Sequence, residues 1–201
     1  MSPDRPDAIR TLKSSLREAA RAAVSGLSPP DRRAASARIV AHLEAWVEWR
    51  NSIRPMGFLP MSDEPDLTPL LLARLQARPP VALPKVDATG AGLDLVLAEG
   101  PQALDPVRRR SGPRGTAHPE GPQCRASEVD LVLVPGRAFD RHGGRLGRGG
   151  AFYDRFLPEL PASARLVAVA FECQMVASVP MEAHDRRVAW ICTETGLRPV
   201  E

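Results

Sequence analysis

From Asp130 to Leu157 the chain reads DLVLVPGRAFDRHGGRLGRGGAFYDRFL, and much of its capacity for chemistry stands in this run. Gly143, Gly144, Gly147, Gly149 and Gly150 let a backbone take positive φ and bring its amides against a ligand. Arg145 and Arg148 add cations, and Asp154 follows Gly150 in what would be the first turn of a helix. A helix beginning near Gly150 would offer unpaired amides and the positive end of its dipole to the same anion. A buried strand, a glycine-arginine loop and a helix in this order point to a polyphosphate. Taken alone, the glycines and arginines fit a solvated surface turn as well. The run lacks the Lys-Ser/Thr ending of a triphosphatase loop, and its GRGG spacing does not fit a dinucleotide fingerprint. The context separates the two. Val129 and Leu131 to Val134 read as a strand buried on both faces of a parallel sheet, and ligands gather outside the carboxyl ends of such strands.

Other chemistry-bearing residues are more ambiguous. Asp154 suits Mg²⁺, which takes a carboxylate together with phosphate and water, and suits an ordinary first-turn acid equally. Glu64 lies in 61-MSDEPD-66 just after an expected strand, flanked by Asp63 and Asp66. It either caps a helix or pairs with a planar amino-ring system through two hydrogen bonds. Lys13 reads as one surface lysine among many. Asp140 and His142 are two apart, a spacing that a turn explains without an acid-base pair. His118 and His184 have no partners at metal spacing, and no serine-nucleophile motif is present.

The elements that must position these groups belong to an α/β chain. Its 201 residues, 43% of them apolar, suffice for one core, and the expectation is a single domain over residues 1–201. Residues 6–25 carry Ile9, Leu12, Leu16, Ala20 and Ala23 at helical spacing with basic residues between them. A second helix is expected over 30–49, with Ser28 as its cap and Trp46 and Trp49 as packing residues. Strands are expected at 53–59, 79–84, 93–98, 165–171 and 187–192, with a helix over 67–77 and a short one after the glycine loop. Residues 100–127, rich in proline and glycine and carrying Arg108, Arg109, Arg110 and Arg114, read as a long irregular excursion. The net charge of +3 and 4% aromatic content give little support to nucleic-acid binding. Cys124, Cys173 and Cys192 form no Cys-x-x-Cys pair, and there is neither a signal-peptide core nor a long apolar span. A soluble, cytoplasmic monomer that binds neither nucleic acid nor membrane is expected.

At 135-PGRAFDRHGGRLGRGGAFYDRFL-157 the chain resembles the 5-formyltetrahydrofolate cyclo-ligase (5,10-methenyltetrahydrofolate synthetase) family. The resemblance extends through 13-KSSLR-17, 61-MSDEPD-66, 82-ALPK-85, 169-VAFE-172, Gln174 and 179-VPMEAHD-185. It implies an ATP- and Mg²⁺-dependent enzyme that closes 5-formyltetrahydrofolate to 5,10-methenyltetrahydrofolate through a phosphorylated formyl imidate. Its implied fold is a three-layer α/β/α sandwich with a mostly parallel sheet, of the NagB and ribose-phosphate isomerase group, preceded by two helices. By the same resemblance Lys13, Arg17, Arg145, Gly147, Arg148, Gly149, Gly150 and Asp154 would bind ATP, with Asp154 on the metal. Arg145, Arg148 and Tyr153 would serve the phosphoryl transfer, and Met61, Glu64 and Tyr153 would bind the reduced folate.

The chain departs from the family pattern at several points. Ala151 stands for a glycine, which requires a negative φ there, and Phe152 replaces another common aromatic. Leu67 takes the place of a threonine, which would loosen the pterin end or move the helix cap to Asp66, and His118 stands where an acid or amide is usual. These changes leave room for an ATP-dependent ligase or kinase acting on a non-folate substrate, for a protein that binds folate without turning it over, and for a non-catalytic nucleotide- or RNA-binding module.

Overall fold

The computed structural model describes residues 5–105, 110–111, 117–182 and 185–201. Arg108, Arg109, Arg114 and His184 lie outside the described residues. The chain opens with three helices, α1 (Arg5–Gly26), α2 (Pro29–Ala45) and α3 (Val47–Asn51). Ser28 caps α2, its Oγ accepting from the Asp31 amide at 3.2 Å. The expected 30–49 helix is broken at Trp46, whose extended φ and ψ of −75° and 126° end α2 and begin α3. Trp46 and Trp49 are buried, as packing residues should be.

The rest of the chain builds β1 (Pro55–Met56), α4 (Thr68–Ala77), β2 (Val81–Val86), β3 (Leu93–Ala98), β4 (Arg110–Ser111), β5 (Ala117–His118), β6 (Gln123–Cys124) and β7 (Leu131–Val134). There follow β8 (Ala138–Phe139), β9 (Arg145–Leu146), α5 (Phe152–Phe156), β10 (Arg165–Val169), β11 (Trp190–Thr193) and β12 (Gly196–Pro199). The main sheet runs β12-β11-β10-β7-β1-β2-β3-β6. Its central strands from β11 to β2 are parallel, and β12, β3 and β6 pair antiparallel at the two margins. The expected strand at 53–59 shrinks to Pro55–Met56 between β7 and β2, with the Gly57 amide still donating to the Ala82 carbonyl of β2 at 3.0 Å before the chain leaves the sheet. Residues 100–127 are less irregular than expected, since β6 joins the sheet edge and β4 pairs with β5. The β12 edge was not anticipated, its GLRP sequence showing no strand pattern.

All four residues of β7 are buried and alternate between two cores. Leu131 and Leu133 meet α2 to α4 through Ile39, Leu43, Leu70 and Leu71. Val132 and Val134 meet Phe156, Leu157 and Leu160 on the opposite face. Burial on both faces explains the unbroken apolar run, and the parallel pairing of β7, β1 and β2 places their carboxyl ends along one rim.

Candidate active site

The site grows from that rim. After Val134 the chain turns through Pro135 and Gly136 into a β8–β9 hairpin before reaching α5, so the expected simple loop is a hairpin followed by a short loop. Asp140 organises the hairpin turn, accepting from the amides of His142 and Gly144 at 2.9 Å each and from Val179 at 2.7 Å. The backbone of His142, and not its ring, meets Asp140, so the two form no acid-base pair. Gly143, at φ +79°, is required because a Cβ would run into the Val188 carbonyl. Gly143 and Gly144 therefore serve the fold, and the stretch that carries the remaining three glycines is 147–150. Within that stretch only Gly149, at φ +94°, needs the left-handed freedom expected of all five glycines.

Arg145, on β9, is buried and donates to the Pro135 carbonyl at 3.2 Å while pairing with Asp154. Its guanidinium carbon lies 5.6 Å from the centre of the Tyr153 ring. Burial lowers the Arg145 pKa against the upward pull of Asp154. From α1, Arg17 Nε donates to the Gly147 carbonyl at 2.9 Å and so fixes the loop. One helical turn earlier, Lys13 Nζ lies 2.6 Å from Glu182 and 3.5 Å from Asp185. Burial alone would lower the Lys13 pKa, but these two acids outweigh it and raise it.

Helix α5 starts at Phe152 with Asp154 in its first turn, as expected, behind Ala151 at φ +54° and ψ 14°. The negative φ required of an alanine at this position is thus not met, and Ala151 occupies the left-handed region that favours glycine. Tyr153 follows, its Oη buried and without a hydrogen-bond partner. Burial, with the neighbouring Glu64 carboxylate, pushes the Tyr153 pKa up. The phenol is a neutral donor aimed into the site.

Glu64 does not cap α4. Leu67 itself holds the N-cap position of α4 without a side-chain cap, so the cap does not move to Asp66. Asp66 Oδ1 accepts from the Thr68 amide at 2.9 Å in the turn just before the helix, while Glu64 closes a tight turn with Met61. The Met61 amide donates to Glu64 Oε2 at 2.9 Å, and the Glu64 amide donates to the Met61 carbonyl at 3.0 Å. The Glu64 side chain is 6% exposed, and Arg148 Nε stands 3.1 Å from its Oε1. Burial raises the Glu64 pKa, Arg148 and the Met61 amide opposing it. Asp63 shares Arg148 with Glu64 and also binds Arg137.

One pocket gathers Met61, Glu64, Arg145, Gly147, Arg148, Gly150, Tyr153 and Asp154, together with Phe58, Pro84, Lys85, Val86, Leu93 and Phe152. Lys13, Arg17 and Gly149 stand outside its wall; Arg17 reaches it through the Gly147 carbonyl, whereas Lys13 is paired with Glu182 and Asp185, which do not line it. The sequence pattern does not single out Asp63, Arg137, Lys85 or the wall of Pro84, Val86 and Leu93. The one signal it carries for them is that 82-ALPK-85 ends a strand. Among the described residues no group of three or more His, Cys, Asp or Glu could hold a metal, so any ion would rest on one or two side chains and on its ligand.

A pocket at the carboxyl ends of parallel strands, walled by arginines, a glycine loop and a buried acid, defines an α/β enzyme that handles an anionic substrate. The chain belongs to the 5-formyltetrahydrofolate cyclo-ligase family, whose profile matches residues 9–194. A 5-formyltetrahydrofolate cyclo-ligase of Mycolicibacterium smegmatis is 34% identical over 158 residues, covering 75% of this chain and 80% of the relative. One of Mus musculus is 24% identical over 187 residues, covering 90% and 92%. The 5,10-methenyltetrahydrofolate synthetase of Aquifex aeolicus superposes with a TM-score of 0.80 at 32% identity, covering 94% of this chain and 92% of that one. No helix among the described residues is long and apolar enough to cross a membrane.

Proposed function

We propose that the protein converts 5-formyltetrahydrofolate to 5,10-methenyltetrahydrofolate with ATP, releasing ADP and phosphate. The observation that carries this reading is the juxtaposition of the buried Glu64 with Arg148 and Arg145 in one pocket. A carboxylate there suits the amino-ring edge of a pterin, and the arginines beside it suit the phosphoryl group that must meet the formyl oxygen. The formyl oxygen attacks the γ-phosphorus, ADP leaves, N10 attacks the resulting phosphorylated imidate, and phosphate departs as the ring closes. The protein's part is positioning and charge compensation.

Arg145 and Arg148, with the amides of Gly147, Gly149 and Gly150, balance the charge of the phosphoryl group. Tyr153 supplies a neutral hydrogen bond from its unpartnered Oη. Lys13 and Arg17 act from α1, Arg17 through the Gly147 carbonyl it already holds. Asp154 is partly exposed at 33% and offers an oxygen for Mg²⁺, which fits an ion that takes its remaining ligands from phosphate and water. Bound there, Mg²⁺ would neutralise phosphate charge. Met61 and Glu64 hold the pterin end. We further infer a single three-layer α/β/α domain of the NagB and ribose-phosphate isomerase group, acting as a cytoplasmic monomer that binds no nucleic acid.

The test follows the ultraviolet absorbance of methenyltetrahydrofolate with purified protein, Mg²⁺ and 5-formyltetrahydrofolate, with and without ATP. An ATP-dependent rise that Asp154→Ala loses supports the reading. Folded protein that binds ATP and gives no rise refutes it in favour of a non-folate substrate.

A further inference from the structure

Lys85 stands near the carboxyl end of β2 and forms part of the pocket wall. The pocket's two arginines are held by acids, Arg145 by Asp154 and Arg148 by Asp63 and Glu64. Lys85 forms no such pair among the described residues. Asp94 is its partner across the β2–β3 ladder but makes no ion pair with it. The nearby Asp87 is committed to its own hairpin turn, accepting from the amides of Thr89 at 3.0 Å and Ala91 at 3.2 Å. A half-buried ammonium without a carboxylate, on the wall of a substrate pocket, is a receptor for an anion.

Two anions are at hand, a phosphate and a carboxylate, and the topology favours the second. Arg145, Arg148 and the glycine loop all follow β7, whereas Lys85 belongs to β2, and β1 with its Glu64 turn lies between them in the sheet. Pro84, Val86, Leu93 and Phe152 line the same pocket and give it apolar surface beside the end of β2. Arg155 ties this side of the pocket together, donating to the Ala91 carbonyl of the β2–β3 hairpin and to the Gly150 carbonyl at 3.1 Å. A ligand anchored at Glu64, with its reacting oxygen toward the arginines, therefore has an apolar bed for an aromatic ring on its other side and a cation beyond.

We propose that Lys85 is a specificity-determining residue that binds the glutamate carboxylate of the reduced folate, with the aminobenzoyl ring resting on Pro84, Val86, Leu93 and Phe152. The proposal rests on the folate reading given above. The pocket's cations then divide between two anions, the β7-side arginines serving phosphate and the β2-side lysine serving the tail.

The experiment compares wild type, Lys85→Met and Lys85→Arg on 5-formyltetrahydrofolate and on 5-formyltetrahydropteroate, the same molecule without its glutamate. Lys85→Met should raise KM for the glutamate-bearing substrate about tenfold, the scale of one charge-assisted hydrogen bond. The change should fall on KM and not kcat, leave KM for ATP unmoved, and be largely reversed in Lys85→Arg. On the pteroate compound, wild type and Lys85→Met should be alike. Equal effects on the two substrates, no effect on either, or a rise in KM for ATP would each overturn the proposal, the last by reassigning Lys85 to phosphate. Wild type that turns over neither compound overturns the folate reading itself and the proposal with it.

Discussion

Arg148 Nε lies 3.1 Å from Oε1 of the buried Glu64, so the cation assigned to phosphate and the acid assigned to the pterin are direct partners. Asp63 holds the other end of the same guanidinium, with Arg148 Nη1 donating to its Oδ2 at 3.1 Å. A pterin that takes the Glu64 oxygens competes with Arg148 for them, and the displaced guanidinium remains tethered by Asp63 at the edge of the phosphate loop. Folate and nucleotide binding are thereby linked through one side chain.

That linkage makes the first prediction. Saturating 5-formyltetrahydrofolate should tighten binding of a non-hydrolysable ATP analogue by about fivefold or more, and the analogue must tighten folate by the same factor. In Glu64→Gln the competition for Arg148 is weakened and the coupling should shrink toward unity. Titration calorimetry of each ligand in the presence of the other measures both directions, and independent binding in the wild type would rule the linkage out.

Glu64 also sets a pH dependence of stability. Burial pushes its pKa above the ordinary 4.5, and the partial compensation from Arg148 does not reverse the shift. The folded protein thus holds this proton more tightly than the unfolded chain. The associated stability is full below the ordinary glutamate value and is lost as pH rises through the raised one. Glu64→Gln cannot ionise and avoids that loss. It should melt above the wild type at about pH 8, with the gap narrowing toward about pH 5. Thermal melts across this range check the sign, and a variant that melts lower at the alkaline end would show the Arg148 ion pair to outweigh desolvation.

The site was legible in sequence where its residues are contiguous. The β7 run, the arginines and Asp154 could be found because a strand buried on both faces runs into them, and Glu64 because its segment follows an expected strand. The roles within the run were not legible. Gly143 and Gly147 look alike in sequence, yet the first avoids a clash with Val188 and the second presents a carbonyl to Arg17. Asp63 and Glu64 are adjacent acids that share Arg148, and only the structure shows that Glu64 lines the pocket while Asp63 also ties down Arg137. Lys85 was invisible as a site residue because its significance lies in the lack of an ion pair, which requires the positions of Asp87 and Asp94. The break at Trp46 was equally hidden, since the apolar spacing continues across it.

Ala151 carries a cost that glycine would not. At φ +54° its Cβ is crowded, and the left-handed conformation disfavours an alanine by about 1–2 kcal/mol. Glycine removes that strain but gives back about 0.5–1 kcal/mol in conformational entropy. Ala151→Gly should therefore stabilise the protein by about 0.5–1 kcal/mol, a rise in Tm of about 1–4 °C for a chain of this size. Calorimetric melting measures it, and a lower Tm would mean that the Ala151 methyl contributes packing that offsets its backbone conformation.

Tyr153 separates function from stability most sharply. Its Oη is buried without a hydrogen-bond partner, so the fold bears the desolvation of a polar group and gains no hydrogen bond in return. Tyr153→Phe removes that burden while keeping the ring that faces Arg145 at 5.6 Å and meets Phe156 edge-on at 6.5 Å. The variant should melt at or above the wild-type temperature. If the phenol donates to the phosphoryl or formyl oxygen during turnover, kcat/KM should fall about 10- to 100-fold, the scale of one hydrogen bond to a charged acceptor. The fall should come without a change in protein folding, which a paired melt and assay on the same preparation will show. Loss of stability with unchanged turnover would reverse the assignment and make the hydroxyl a structural group. Because burial and Glu64 hold the phenol protonated, the Tyr153 contribution should also persist through alkaline conditions in which an exposed tyrosine would ionise. A wild-type rate profile that lacks a tyrosine-like alkaline limb, with the same shape in Tyr153→Phe at a lower level, is the expected result.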